Sequence, residues 1–86
     1  MPRIAYVNGR YVRHAHAAVH IEDRGYQFAD GVYEVCEVAR GFIIDMNRHL
    51  DRLDRSLSEL KIRWPMHRSA LSLIMREVIR RNGGHN

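Results

Sequence analysis

The dipeptide Asn8-Gly9 constrains this chain more than any other local feature. It separates two runs, Ile4-Ala5-Tyr6-Val7 and Arg10-Tyr11-Val12-Arg13. Asparagine and glycine both tolerate the positive φ angles of a type I′ turn, and that turn suits the twist of paired strands. The spacing predicts an antiparallel hairpin at the start of the chain.

A second hairpin is expected further on. From Val32 the pattern has period two: Val32, Glu34, Cys36 and Val38 share one face, and Tyr33, Val35, Glu37 and Ala39 share the other. Both faces mix apolar and acidic residues, so this strand is not simply buried on one side. Arg40-Gly41 reads as a turn and Phe42-Ile43-Ile44 as the returning strand. The sheet is therefore antiparallel and built from hairpins.

Two helices follow. Asp45 or Asn47 can cap the first, which is expected to run to about Lys61. At about 100° per residue, Leu50, Leu53, Leu57 and Leu60 fall in one arc and form the core seam. His49, Arg52 and Ser56 make a row along one border of that arc, where side chains reach a ligand at the domain edge or form a polar rim. Rim ion pairs of that kind are worth only about 0–1 kcal/mol each. Trp64-Pro65 breaks the chain. The second helix is expected from roughly His67 to Asn82, with Ala70, Leu71, Ile74, Met75, Val78 and Ile79 as its apolar stripe. Arg80-Arg81 suits the C-terminal end of the helix dipole, and Gly83-Gly84 stops it. Leu73 projects among polar residues and is expected to contact something outside these 86 residues, such as a further domain or a second subunit.

Eighty-six residues make one small domain, residues 1–86, with a thin core: such a chain buries roughly 60–65% of its unfolded surface. Cys36 is the single cysteine, which rules out an internal disulfide and fits a reducing cytoplasm. The N-terminus has no long apolar run, so neither a signal peptide nor a membrane span is expected. The formal charge is +4, and all but Lys61 of the fourteen Lys and Arg residues are arginine. A basic balance suits phosphate or nucleic-acid contact. Here the positive residues are spread along the chain, which favours a solvated face, and no nucleic-acid partner is expected. His14, His16 and His20 lack the cysteine or carboxylate of a closed metal site. They read as exposed polar residues, with His14 and His16 on one face, and no metal is assigned.

The stretch between the hairpins, Asp23-Arg24-Gly25-Tyr26-Gln27-Phe28-Ala29-Asp30-Gly31-Val32-Tyr33-Glu34-Val35, combines turn-forming glycines and aspartates with aromatics. By spacing it is an ordinary connection with aromatic plugs, or a structured loop aimed into a strand that carries Tyr33. Its wording resembles the N-terminal signature of the class IV, fold-type IV aminotransferases that use pyridoxal 5′-phosphate (PLP). It is most similar to the D-amino acid aminotransferases. The resemblance continues in Asn8-Gly9 and in His49-Leu50-Asp51-Arg52-Leu53, with Ser56 following, and covers nearly all of the chain.

The resemblance implies an α+β fold: an antiparallel sheet of hairpin-connected strands packed with two helices, incomplete at its C-terminal end. Residues 1–86 would be the N-terminal small domain, lacking the C-terminal domain that carries the family's Schiff-base lysine. No catalytic residue is then assigned in this chain. Lys61 lies in the wrong motif and reads as an exposed helix-end lysine. Arg52 is implied to hold the PLP phosphate, a role suited to a planar and permanently charged guanidinium. Tyr33 is implied to lie by the cofactor and substrate carboxylate, with Val35 shaping the pocket wall. Glu34 points to the opposite face and is given a structural role. Ala29 stands where glycine is common, a mild change if its φ is negative.

The implied reaction moves an amino group between a D-amino acid and a 2-oxo acid, with the isolated 86 residues inactive. A homodimer, or self-association through an exposed sheet edge, is expected. A branched-chain aminotransferase or an aminodeoxychorismate lyase remains open within the superfamily. The reading from another class is a small basic binding module using Arg76, Arg80 and Arg81.

Overall fold

The computed structural model describes residues 3–83. Gly84, the second residue of the expected helix stop, lies outside them. Strands β1 (Ile4–Val7) and β2 (Arg10–Arg13) pair antiparallel, with Val7 opposite Arg10 and Ile4 opposite Arg13. Asn8 and Gly9 turn with φ of 49° and 86°, as the dipeptide predicts. Tyr6 and Tyr11 meet across the hairpin edge to face, their ring centroids 5.0 Å apart. His14–His16 then forms a single 3-10 turn, so the extended spacing expected for His14 and His16 does not apply.

A short helix that periodicity could not reveal follows. Helix α1 (Arg24–Phe28) has five residues and contains Gly25. Its start is set by Asp23, whose Oδ1 accepts from the Gly25 N–H at 2.8 Å and the Tyr26 N–H at 3.3 Å. Its end is set by Ala29, which is left-handed at φ 56°. The negative φ that would make alanine harmless here is not found. The helix is locked by Arg24, which donates from Nε at 2.8 Å and Nη2 at 2.5 Å to Asp30 Oδ2.

The second hairpin is shorter than its sequence suggests. Only β3 (Val38–Ala39) and β4 (Phe42–Ile43) pair, around Arg40 and Gly41 at φ 55° and 82°. The Ile44 N–H donates to the Glu37 carbonyl at 2.9 Å and extends the pairing by one bond. Residues 32–37, expected as the body of a strand, have no ladder partner among the described residues. Their alternation survives: Val32, Glu34 and Cys36 are half-buried, whereas Tyr33, Val35 and Glu37 are exposed. The period was legible because it belongs to the side chains; the ladder was not, because it needs a second strand. The described strands form two separate two-stranded antiparallel sheets within an α+β fold.

Helix α2 (Met46–Glu59) begins after Asp45, which is left-handed at φ 55° and caps with no side-chain bond. It stops before the expected Lys61, where the chain turns at φ 57°. Leu50 and Leu57 are the buried hydrophobics of the described residues, and Leu53 is half-buried. Leu60 was expected in the same seam. It lies just past the helix end as its C-cap and is exposed. The Trp64 indole N–H donates to Asp54 Oδ1 at 2.8 Å and folds the linker back on α2. Helix α3 (Arg68–Arg81) is capped by His67, whose ring accepts from the Ser69 N–H. Arg68 ties α3 to α2 through the Asn47 carbonyl at 3.1 Å and Asp51 at 2.8 Å.

The far end of α3 is tied to the first hairpin by Asn82. Its Oδ1 accepts from the Ile4 N–H at 2.9 Å, and its Nδ2 donates to the Ile4 carbonyl at 2.9 Å and the Val78 carbonyl at 2.7 Å. One side-chain amide thus serves β1 as a neighbouring strand would. Arg81 adds a cation–π contact, 4.0 Å from the Tyr11 centroid. The apolar stripe of α3 is half-buried along its length, and Leu73 is exposed. The chain exposes 7162 Å², against roughly 5,300 Å² for a compact monomer of this mass.

Ala29→Gly is expected to raise folding stability by about 0.5–1 kcal/mol, because glycine takes this φ without a Cβ penalty. Urea midpoints of the two proteins check it. Asn82→Ala is expected to lower stability by about 1–3 kcal/mol, since it leaves Ile4 without partners for both backbone groups. The same titration reads it, and an unchanged midpoint would mean water replaces the amide at no cost.

Candidate functional site

The half-buried face of residues 32–37 meets the border row of α2 at Glu34. Glu34 Oε1 lies 2.8 Å from His49 Nδ1 and accepts from Arg52 Nη2 at 2.8 Å, and Oε2 accepts from Arg52 Nε at 2.8 Å. His49 and Arg52 are three residues apart on α2, so one turn of helix presents both to a single carboxylate. A carboxylate only accepts, so His49 Nδ1 carries the proton in this contact. The Glu34 side chain is 13% exposed and that of Arg52 is 59% exposed. The cluster is sunk on the glutamate side and open on the arginine side.

The electrostatics follow from these contacts. The Arg52 hydrogen bond, then that of His49, holds the Glu34 carboxyl down at about 2, and Glu34 in turn raises Arg52. Burial, helped by the Glu34 charge, pushes the Cys36 thiol up. Glu34 is therefore an anion and Arg52 a cation throughout the neutral range.

Beside the cluster lies a cleft of about 330 Å³ lined by Tyr33, Glu34, Val35, Arg52 and Ser56. The residues implied by the family resemblance, Arg52, Tyr33 and Val35, line this cleft together with the border residue Ser56, whereas His49 of the same border row does not. Tyr33 and Val35 are 85% and 76% exposed, so they form an open wall. Glu34, read from sequence as structural, is also at the cleft. Its signal was an acid on the inward strand face opposite a helix row that carries His49 and Arg52. A guanidinium, a hydroxyl, a phenol and an apolar wall suit an anion with a partly apolar body.

The other sequence candidates are placed differently. Arg80 donates to Glu77 at 2.9 and 2.6 Å, and Arg81 donates to the same carboxylate at 2.7 Å. Two of the three arginines in the possible basic patch therefore share one acid. Among the described residues, no three His, Cys, Asp or Glu side chains gather as a metal site, and no helix is long and apolar enough to cross a membrane.

Acid should loosen the fold through Glu34 and Glu77, both held at about 2 against 4.5 for a free carboxyl. Between those values the unfolded chain binds protons that the folded chain does not. The stabilisation is complete above about pH 4.5 and is lost as pH falls towards 2. Urea midpoints measured from pH 6 to 2 are expected to fall, and Glu34→Gln to flatten part of that slope. An identical slope in the variant would show that the ion pair is not formed in solution.

Comparison with known proteins agrees with the signature. Residues 31–86 match the family model of amino-transferase class IV. The chain is 40% identical over 81 residues to D-alanine aminotransferase of Bacillus licheniformis, covering 90% of this chain and 29% of that protein. It is 38% identical over 76 residues to D-alanine aminotransferase of Listeria innocua, covering 88% and 26%. With D-alanine aminotransferase of Staphylococcus haemolyticus it shares 32% identity over 81 residues, covering 94% and 29%. The chain spans less than a third of the length of these relatives. With its signature residues gathered at one cleft and this similarity along the chain, the protein belongs to the class IV aminotransferases.

Proposed function

We propose that residues 1–86 form the N-terminal small domain of a PLP-dependent aminotransferase that moves an amino group between a D-amino acid and a 2-oxo acid. The observation that carries this reading is the convergence of Arg52 and Tyr33 on one open cleft, in a chain 40% identical to a D-alanine aminotransferase. The donor set fits the cofactor's phosphate. Glu34 occupies Nε and Nη2, and Nη2 also lies 3.3 Å from His49 Nδ1, which leaves Arg52 its Nη1 donors. Ser56, one helical turn along α2, adds a hydroxyl to the same cleft.

When bound, PLP supplies an electron sink for the substrate carbon that loses its proton. The residues of this chain bind and orient. Arg52 holds phosphate oxygens through charge-assisted bonds. Tyr33 donates its phenol proton to the substrate carboxylate, and Val35 packs the apolar side of the pocket. No residue here is assigned the proton transfer, and Lys61 sits at the turn after α2, outside the residues that line the cleft. The isolated 86 residues would therefore be inactive. The unpaired segment 32–37 and the exposed Phe42 and Leu73 suit coverage by further strands or by a second subunit. A nucleic-acid module is less well served, since Glu77 already neutralises much of the Arg80-Arg81 charge.

In the protein made from its complete gene, Arg52→Gln is expected to weaken PLP binding by about 10- to 100-fold, the equivalent of roughly 1.5–3 kcal/mol for charged hydrogen bonds. Tyr33→Phe is expected to lower kcat/KM for D-amino acids by about tenfold, with stability within about 0.5 kcal/mol because the ring is exposed. Equilibrium dialysis and steady-state kinetics with D- and L-amino acids are the measurements. Unchanged PLP binding in Arg52→Gln would remove the arginine from the site. Turnover of L- but not D-amino acids would assign the protein to another branch of the family.

A further inference from the structure

The strongest unassigned feature is the carboxylate of Glu34. A half-buried position in an alternating run would ordinarily be apolar; here it carries an acid with three close contacts. Both of its oxygens are engaged, Oε1 by His49 and Arg52 and Oε2 by Arg52. His49 Nδ1 and Arg52 Nη2 meet at Oε1, 3.3 Å from each other, while Arg52 Nε takes Oε2, so the carboxyl plane cannot rotate without breaking a bond. Arg52 in turn is gripped along its Nε–Nη2 edge, the side-on fork that fixes both the plane and the direction of a guanidinium. Without that grip, an arginine 59% exposed on a helix surface would sample many rotamers.

We propose that Glu34 is a positioning residue: it fixes the Arg52 fork so that the remaining donors of the guanidinium are presented to a phosphate group in the cleft. This rests on the reading of Arg52 as the phosphate-binding residue. Glu34 does not contact the ligand in this role. It offsets one of the charges near the phosphate, yet removes most of the ordering that Arg52 would otherwise undergo on binding. His49 completes the device by holding Oε1 of Glu34 through Nδ1, beside Arg52 Nη2.

The test compares two ligands that differ only in the phosphate, PLP and pyridoxal, on the cofactor-free protein made from its complete gene. Binding is read by equilibrium dialysis for the unaltered protein, Glu34→Gln, Glu34→Asp, Arg52→Lys, Arg52→Gln and the double variant Glu34→Gln with Arg52→Lys. The expected result is that Glu34→Gln weakens PLP by about tenfold or more and leaves pyridoxal within about twofold, because one or more charged hydrogen bonds lose their alignment. Glu34→Asp keeps the charge with a shorter reach and should fall between the two. In the Arg52→Lys background, Glu34→Gln should have little further effect.

Equal weakening of PLP and pyridoxal by Glu34→Gln would make Glu34 a structural residue only, and would overturn the proposal. So would phosphate selectivity that survives Glu34→Gln but is lost in Arg52→Lys; the phosphate site would then stand without its positioning residue. Selectivity retained in Arg52→Gln, which unlike lysine keeps no charge, would overturn both, since Arg52 would not hold the phosphate. Should Glu34→Gln fail to fold, as judged by circular dichroism, Glu34→Asp carries the same comparison.

Discussion

The structure depends on one carboxylate. Segment 32–37 has no ladder partner among the described residues, and its backbone has little to hold it in place. Glu34 supplies the tie by joining that segment to α2 through Arg52 and His49. An exposed ion pair would contribute little. This one is sunk on the acid side and made of aligned, charge-assisted bonds, which places it among the stronger kinds. Because the segment alternates, fixing Glu34 inward also fixes Tyr33 and Val35 outward. A single polar contact therefore sets which residues form the wall of the cleft.

A second polar tie works at the other end of the molecule. Among the described residues the buried hydrophobics are Leu50 and Leu57, both on α2, so the join between α3 and the first hairpin lies away from the most buried part of the core. Asn82 makes that join with one amide that bonds the helix and both backbone groups of Ile4. The Arg81–Tyr11 contact adds a weaker attraction of about 0.5–2 kcal/mol. Thin cores put more weight on such directional contacts, since there is less buried area to compensate for a lost one.

What the sequence made legible was local. Asn8-Gly9 and Arg40-Gly41 specify their turns with residues that accept the required angles, and both form with positive φ. The apolar stripes of α2 and α3 are long enough for a 3.6-residue period to stand out. Helix α1 was illegible because five residues do not complete two turns and its cap, Asp23, also suits a plain turn. The left-handed Ala29 was announced only by the family's glycine at that position, since alanine itself does not favour a positive φ. The shortfall of the second hairpin and the role of Glu34 share a cause: each depends on a partner distant in sequence. The candidate site was legible in Arg52, Tyr33 and Val35 through the family signature. Glu34 was read only as structural, because its place at the cleft depends on the helix row that carries His49 and Arg52.

The unpaired run 32–37 has a thermodynamic consequence. Its amides lack ladder partners among the described residues, so local opening there costs little beyond the Glu34 tie, and these amides should exchange with solvent sooner than those of β1 or α2. The same run carries the wall of the cleft. Whatever orders it, whether a ligand seated against Tyr33 and Arg52 or a strand laid along its edge, removes the same conformational freedom. The first to bind meets that entropic cost, and the second finds the segment already ordered. A ligand and a pairing strand that both ordered this run would thereby be coupled with positive sign.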